Sequence, residues 1–413
     1  MLFKLIVLYI IIEYVRPGDI SPELRALKLN TFFLPLIIFV VSIVRWKASY
    51  QKYFISSTQA RMILFLTGLH GISLVMAQFI PDVDGSLIYQ STRGWIGYTL
   101  VFFFLSNEIN SDEKLKKIIK ILIFIHVFVV LINLNTLTKA SHQDFLQSGT
   151  FFGDGNDFAL ALNVILPLAL FFALGETEKM KRIVFRGIVL LFFMAIILTL
   201  SRGGAVGLAA SVGYFAIKSS RKYRNGIWVG ILCIAAVYSA PASWFQRMET
   251  IQSYDTEASA YGRIQAWKAA IQIALDRPLT GVGPGNFVQI YATQYRPEIY
   301  SIGDAWKATH SLYFQTLAEL GFPGLLALAA ILGSCMISNM RMQSRFGPKT
   351  KERQLLISLN MSWLGYCVAA GFLSVLYYPH IFVLAGLNLA TLNILRMKYA
   401  SEWEKTKNRF KRQ

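Results

Sequence analysis

At 413 residues, with 54% hydrophobic and only 15% charged side chains, the chain is too apolar for a soluble domain of its size. A net charge of +18 raises the question of nucleic acid, but the basic residues recur in alternate links between apolar runs, a pattern of membrane topology that argues against a nucleic-acid surface. The three cysteines, Cys233, Cys335 and Cys367, sit inside apolar runs without metal-ligand spacing, so neither a disulfide framework nor a zinc site is indicated.

Apolar runs able to cross a hydrocarbon core about 30 Å thick are read at 2–14, 30–46, 61–80, 94–110, 117–135, 157–175, 183–200, 203–218, 226–241, 310–338, 354–375 and 380–396. The expected fold is an all-α polytopic membrane protein of about twelve transmembrane helices. The first run is short, ends in Glu13 and lacks a small-residue cleavage site, so it reads as a span or signal anchor. Four regions follow: a transmembrane bundle over 1–241, a large polar loop over 242–309, three further spans over 310–396 and a basic tail over 397–413. Arg45, Lys47, Lys52 and Arg61 occupy one link, Lys114, Lys116, Lys117 and Lys120 the next. Links around 179–186, 218–224 and 341–353 and the tail repeat the pattern. Positive charge marks the cytoplasmic side, which puts both termini inside and the long loop outside, with the basic links also able to attract anionic membrane lipid.

In chain order, the first polar feature on the expected outer face is Thr199-Leu200-Ser201-Arg202-Gly203-Gly204. So short a link keeps the Arg202 guanidinium at or just inside the membrane surface, where a charge is costly and tends to be functional. An interfacial arginine snorkelling to water is the alternative. Glycines in that link allow a turn or close approach. In the long loop, Ile264, Trp267, Ile271 and Ala274 fall at helical spacing, the stripe of an amphipathic helix resting on membrane or bundle. Arg263 lies in its first turn, where a cation does not help the helix dipole, so it answers either to a ligand or to nothing but solvent. Pro278 ends the helix, and Gly281-Val282-Gly283-Pro284-Gly285-Asn286 reads as a structural turn, since no Lys-Ser/Thr completes a phosphate loop.

The loop closes on Thr309-His310-Ser311. His70 and His126 lie within spans, His142 in a polar link and His380 at a span end, all open to packing roles. His310 instead stands at the mouth of a span, followed by Ser311, Tyr313, Gln315 and Glu319. A neutral imidazole there can accept a proton. No histidine or carboxylate lies at i+3 or i+4, so a helical metal pair is not supported.

Taken in order, the Ser-Arg-Gly-Gly link, Tyr261-Gly262-Arg263-x-x-x-Trp267, the Gly-Val-Gly-x-Gly-Asn-Phe turn and the His310-Ser311-x-Tyr313 span start with Glu319 resemble the O-antigen ligase family, which also holds O-antigen polymerases and protein O-oligosaccharyltransferases. The similarity is firmest over about residues 195–330. Phe151-Phe152-Gly153-Asp154-Gly155-Asn156-Asp157 and Tyr14-Val15-Arg16-Pro17 are similar to a subgroup of O-glycosylation ligases associated with exosortase systems. The resemblance implies a GT-C-like glycosyltransferase of the bacterial inner membrane, working on the periplasmic face without metal or cofactor. Its donor would be a glycan on undecaprenyl diphosphate, and its acceptor lipid-A core, protein or glycan. By the same resemblance, Arg202 and Arg263 would bind the diphosphate and His310 would be the base, with Tyr261, Ser311, Tyr313 and Glu319 in supporting places and inversion at the anomeric carbon. Ser311 stands where many ligases carry Asn, which touches the acceptor side.

A polymerase is the alternative within the family. A lipid-linked-glycan flippase is the alternative outside it, and would need polar groups through the depth of its spans, whereas the polar candidates cluster at the outer edge. A docking role for the loop is the third.

Overall fold

The computed structural model describes residues 2–20, 23, 57–139, 152–219, 258–297 and 306–410. The predicted spans at 30–46 and 226–241, the loop residues 242–257, Phe151, His142 and Cys233 lie outside the described residues. Among the described residues regular structure is helical throughout, and polar side chains mark many helix starts. Ser57, Asp84, Ser111, Asp154, Ser201 and Thr350 each accept a first-turn backbone N–H, satisfying donors that have no partner within the helix.

The helices are α1 (Leu2–Val15), α2 (Pro17–Ile20), α3 (Thr58–Ala77), α4 (Gly85–Glu108), α5 (Asp112–Ile132), α6 (Leu134–Thr138), α7 (Gly155–Gly175), α8 (Lys179–Leu198), α9 (Arg202–Lys218), α10 (Ala258–Asp276), α11 (Phe287–Ile290), α12 (Leu312–Gln343), α13 (Lys351–Ala370) and α14 (Pro379–Phe410), with a π-helical turn at Tyr291–Tyr295 after α11. Among the described residues, four stretches are long and apolar enough to cross a membrane by themselves: α3, α7, α12 and Pro379–Ala400 of α14. The protein is therefore an all-helical, multi-pass membrane protein. The remaining predicted spans that are described fall on α1, α4, α5, α8, α9 and α13, which are shorter, more charged or less apolar.

Helix α7 is apolar nearly all round and is buried nearly all round, packed by α8, α9 and α13. Close packing against α9 depends on Gly204, where a Cβ would collide with the Ala159 methyl. Asn163 of α7 donates to the Gly204 carbonyl at 2.9 Å, joining the two helices where their backbones meet. Around this pair, α12 packs on α3 and α13, while α14 packs on α4.

The described basic links gather at one end of the bundle. Lys398 reaches Asp112 at 3.1 Å and Glu352 at 3.3 Å, and Lys120 pairs with Glu176 at 2.8 Å. The start of α10, His310 and the turn between α13 and α14 lie at the other end. The expected apolar interior of the basic half needs one correction. Asn339 donates to Asn360 at 2.9 Å and to Asn388 at 2.6 Å, tying α12, α13 and α14 together in the interior. Trp363 Nε1 also donates to Asn388, at 3.1 Å. Asparagines scattered in or beside apolar runs are diluted in any hydropathy average, yet in hydrocarbon they find one another because an unpaired amide there is costly.

A substitution separates these packing contacts from mere composition. Gly204→Leu is expected to lower the unfolding midpoint of the detergent-solubilised protein, with a cost of at least the roughly 1–3 kcal/mol of overpacking. Gly213→Ala, where an added Cβ meets nothing within 4 Å, should leave it unchanged.

Candidate functional site

The site is built on a break in α12. Gly321 interrupts the helix with φ 68° and ψ −172°, a backbone open to glycine and costly to other residues. Opposite it, Gly281 has φ 63°, and a Cβ there would strike the Ala318 carbonyl. The two chains meet through backbone bonds: Val282 N–H to the Ala318 carbonyl at 2.9 Å, Gly283 N–H to that of Glu319 at 3.2 Å, and Phe322 N–H to that of Pro278 at 2.9 Å. The Gly285 N–H donates to the Glu319 carboxylate at 3.0 Å. The glycine turn thus spends its amides on α12, which makes it a structural clamp.

That clamp docks α10 against the bundle, on a face that shares only Ala274 with the predicted stripe. The buried residues are Ala266, Ala269, Ala270, Ile273 and Ala274, whereas Ile271 is 42% exposed. Small side chains let the helix approach closely, and a stripe drawn on large apolar residues overlooks them. Trp267 stands at the edge of this face, stacks on Phe314 of α12 with centroids 5.0 Å apart, and donates its Nε1–H to the Thr309 carbonyl at 2.8 Å.

Thr309, His310 and Ser311 are held from a second side by the turn between α13 and α14. Ser374 Oγ accepts the His310 N–H at 2.9 Å and bonds Thr309 Oγ1 at 2.8 Å. Thr309 Oγ1 in turn donates to the Ser311 carbonyl at 3.1 Å. His310 itself has φ 46°, a left-handed backbone that a histidine adopts at a cost, so the clamp holds a strained residue. His310 is exposed as a residue. Desolvation by the surrounding protein nonetheless lowers its pKa; Arg263 lowers it further, as does Lys307, and Asp154 opposes them. The neutral, proton-accepting form is therefore favoured.

Arg263 follows Gly262 in α10, and Lys307 lies over Gly262, its Nζ 2.8 Å from where a glycine Cβ would stand. Arg202 is the first residue of α9. The turn before it falls on Leu200, with φ 56°, rather than on the two glycines, which lie inside the helix. Ser201 accepts from Gly204 N–H at 3.0 Å and donates to Asn156 at 2.8 Å, which sets the starts of α9 and α7 side by side. Gly203 abuts Phe372, two residues before the Ser374 that holds His310. Asp154 caps α7, accepting from the Asn156 and Asp157 amides at 2.7 and 2.9 Å.

Arg263 and His310 are thus electrostatic neighbours, and the residue after Arg202, Gly203, lies against the α13–α14 turn that also holds His310. The supporting residues divide differently. Tyr261 is 38% exposed. Ser311 is buried in the clamp, and Tyr313 donates to the Cys367 carbonyl at 2.8 Å. Glu319, buried, accepts from Gly285 and from Tyr377 OH at 2.5 Å, while Gln315 accepts the Leu376 N–H at 3.1 Å. Glu319 therefore braces the glycine turn and the α13–α14 turn against α12. Asp154, Lys307, Ser374 and Trp267 join this end without belonging to the predicted site. Asp154 carried a signal as a cap in an Asp/Gly/Asn cluster, and Lys307 in its place three residues before His310; Ser374 carried none.

The described fold and this end of it define a multi-pass helical membrane protein with basic side chains beside an exposed histidine whose pKa is held down. Residues 187–329 match the family model described as O-antigen ligase, and the matched stretch contains Arg202, Arg263 and His310. No curated protein matches the sequence.

Two measurements test this geometry. In a histidine-ring NMR titration His310 should titrate below an ordinary histidine, Arg263→Gln should raise its pKa and Asp154→Asn should lower it further. Values unmoved in both variants would remove the electrostatic neighbourhood. Ser374→Ala should cost about 1 kcal/mol, the scale of one hydrogen bond, and speed exchange of the His310 amide.

Proposed function

We propose that the protein is a glycosyltransferase that moves a glycan from an undecaprenyl-diphosphate carrier to an acceptor hydroxyl. The observation that carries this reading is the match to the O-antigen ligase model over a stretch holding two arginines and the exposed histidine at one end of the bundle. With the basic links at the opposite end, the positive-inside rule makes the His310 end periplasmic in a bacterial inner membrane, both termini cytoplasmic, in a twelve-span layout. Arg202 and Arg263 grip the diphosphate, since guanidinium groups pair bidentately with phosphate oxygens and stay charged. His310 takes the proton of the acceptor hydroxyl, whose oxygen attacks the anomeric carbon and inverts it. Diphosphate bound beside Arg263 offsets the charge that holds the imidazole pKa down, so the base strengthens once donor is in place. The energy resides in the sugar–diphosphate bond, and no nucleotide is consumed.

Ligation to lipid-A core or protein and polymerisation on the growing glycan use the same donor site and differ in the acceptor. The exosortase-associated subgroup is the narrower reading, and the Tyr14–Pro17 and Phe151–Asp157 segments support it.

Glycan transfer by the purified protein from an undecaprenyl-diphosphate donor tests the proposal, with each acceptor class supplied in turn. Wild type should transfer; His310→Ala should lose about 10²–10⁴-fold, and Arg202→Ala about 10²–10³-fold, with both variants folded. Undiminished transfer by His310→Ala would remove the base. Movement of labelled donor across proteoliposomes with no transfer would replace the enzyme by a flippase.

A further inference from the structure

We infer that Lys307 is a third phosphate-binding cation, placed by the missing side chain of Gly262, and that it serves the departing lipid diphosphate more than the bound donor. The inference rests on the lipid-diphosphate reading above. Its geometric basis is the packing of one side chain on one residue. The end of Lys307 lies along Gly262, with Nζ, Cδ and Cε 2.8, 3.2 and 3.5 Å from the position of a Cβ, so any larger residue at 262 would push the ammonium away. Gly262 precedes Arg263 in the first part of α10, and Lys307 lies three residues before His310 in the segment that Trp267 holds through Thr309. Arg263 and Lys307 both act electrostatically on the His310 ring, which sets the two cations around one imidazole. Two independent pieces of chain therefore bring positive charge to one place, and the clamp fixes their separation.

Charge balance says what a third cation is for. A glycan–diphosphate–lipid donor is a doubly substituted diphosphate with two negative charges, which Arg202 and Arg263 match. In the transfer step the acceptor oxygen forms its bond to the anomeric carbon while the bond from that carbon to the phosphate oxygen breaks. The bonding pair leaves with the phosphate oxygen, and the hydroxyl proton goes to His310. The leaving lipid diphosphate then carries one negative charge more than it did in the donor. A cation that answers that additional charge stabilises the transition state more than the ground state. Lysine suits the task as a compact point charge on a flexible stem, able to follow the phosphate oxygen as charge builds on it.

The test compares inhibition by inorganic pyrophosphate and by undecaprenyl diphosphate with the donor KM, in wild type, Lys307→Met, Lys307→Arg and Gly262→Ala. In Lys307→Met both inhibitors should bind about tenfold more weakly, the scale of one charge-assisted contact. Its kcat should fall by a similar factor while the donor KM moves less than twofold. Lys307→Arg should recover most of the loss, and Gly262→Ala should shift the same quantities in the direction of Lys307→Met. If Lys307→Met is too unstable to assay, Gly262→Ala against Lys307→Arg decides the matter. Wild-type inhibition that is unchanged in Lys307→Met and Gly262→Ala overturns the role of Lys307 and leaves the lipid-diphosphate reading standing. Wild type that neither transfers nor binds either inhibitor overturns that reading, and this inference with it.

Discussion

The His310 end is organised by one constraint: two stretches of backbone lie within hydrogen-bonding distance where α12 breaks. Buried amides and carbonyls must be paired, and an interrupted helix leaves several without their usual partners. The Pro278–Asn286 turn supplies them, and it can come close enough because both chains are glycine at the point of contact. From that seam α10 is fixed in position, Trp267 reaches Thr309, and the α13–α14 turn closes on the other side through Ser374. The position of His310 is thus decided mainly by backbone geometry some distance from its imidazole.

The polar groups at this end do two kinds of work. Glu319, Gln315, Tyr313 and Ser311 are spent on neighbouring backbone and side chains, and they make the frame rigid. Arg263, Lys307 and Asp154 act on the His310 ring through their charge and, after burial, adjust its proton affinity. A carboxylate that braces a helix break and a carboxylate beside a base look alike in a sequence, and only their partners tell them apart.

Much of the architecture was legible in advance because its causes are local. Apolar runs and capping residues placed the described helices, and charge alternation anticipated which links share an end. Arg202, Arg263 and His310 stood out because cations and an imidazole in polar segments between or at the ends of apolar runs are hard to assign to packing. The illegible parts depend on contacts between distant segments. The alanine face of α10 is chosen by how close a neighbour can come, and Ile271 faces away despite its hydrophobicity. Leu200 takes the turn that its glycine neighbours seemed made for, since those glycines are needed against Ala159 and Phe372. Ser374 lies in a turn with no motif, and its value comes from the His310 amide and Thr309 hydroxyl it meets.

The break in α12 also has a consequence for depth. As one helix, its 32 residues would extend about 48 Å, far more than a hydrocarbon core requires. Residues 322–343 alone account for about 33 Å, enough for a full crossing. The helical turns before Gly321 therefore exceed what a crossing requires. On the proposed function, that surplus would set the His310 end at the level of the lipid headgroups, where a carrier lipid in the same leaflet would present its phosphates while its tail remains in hydrocarbon.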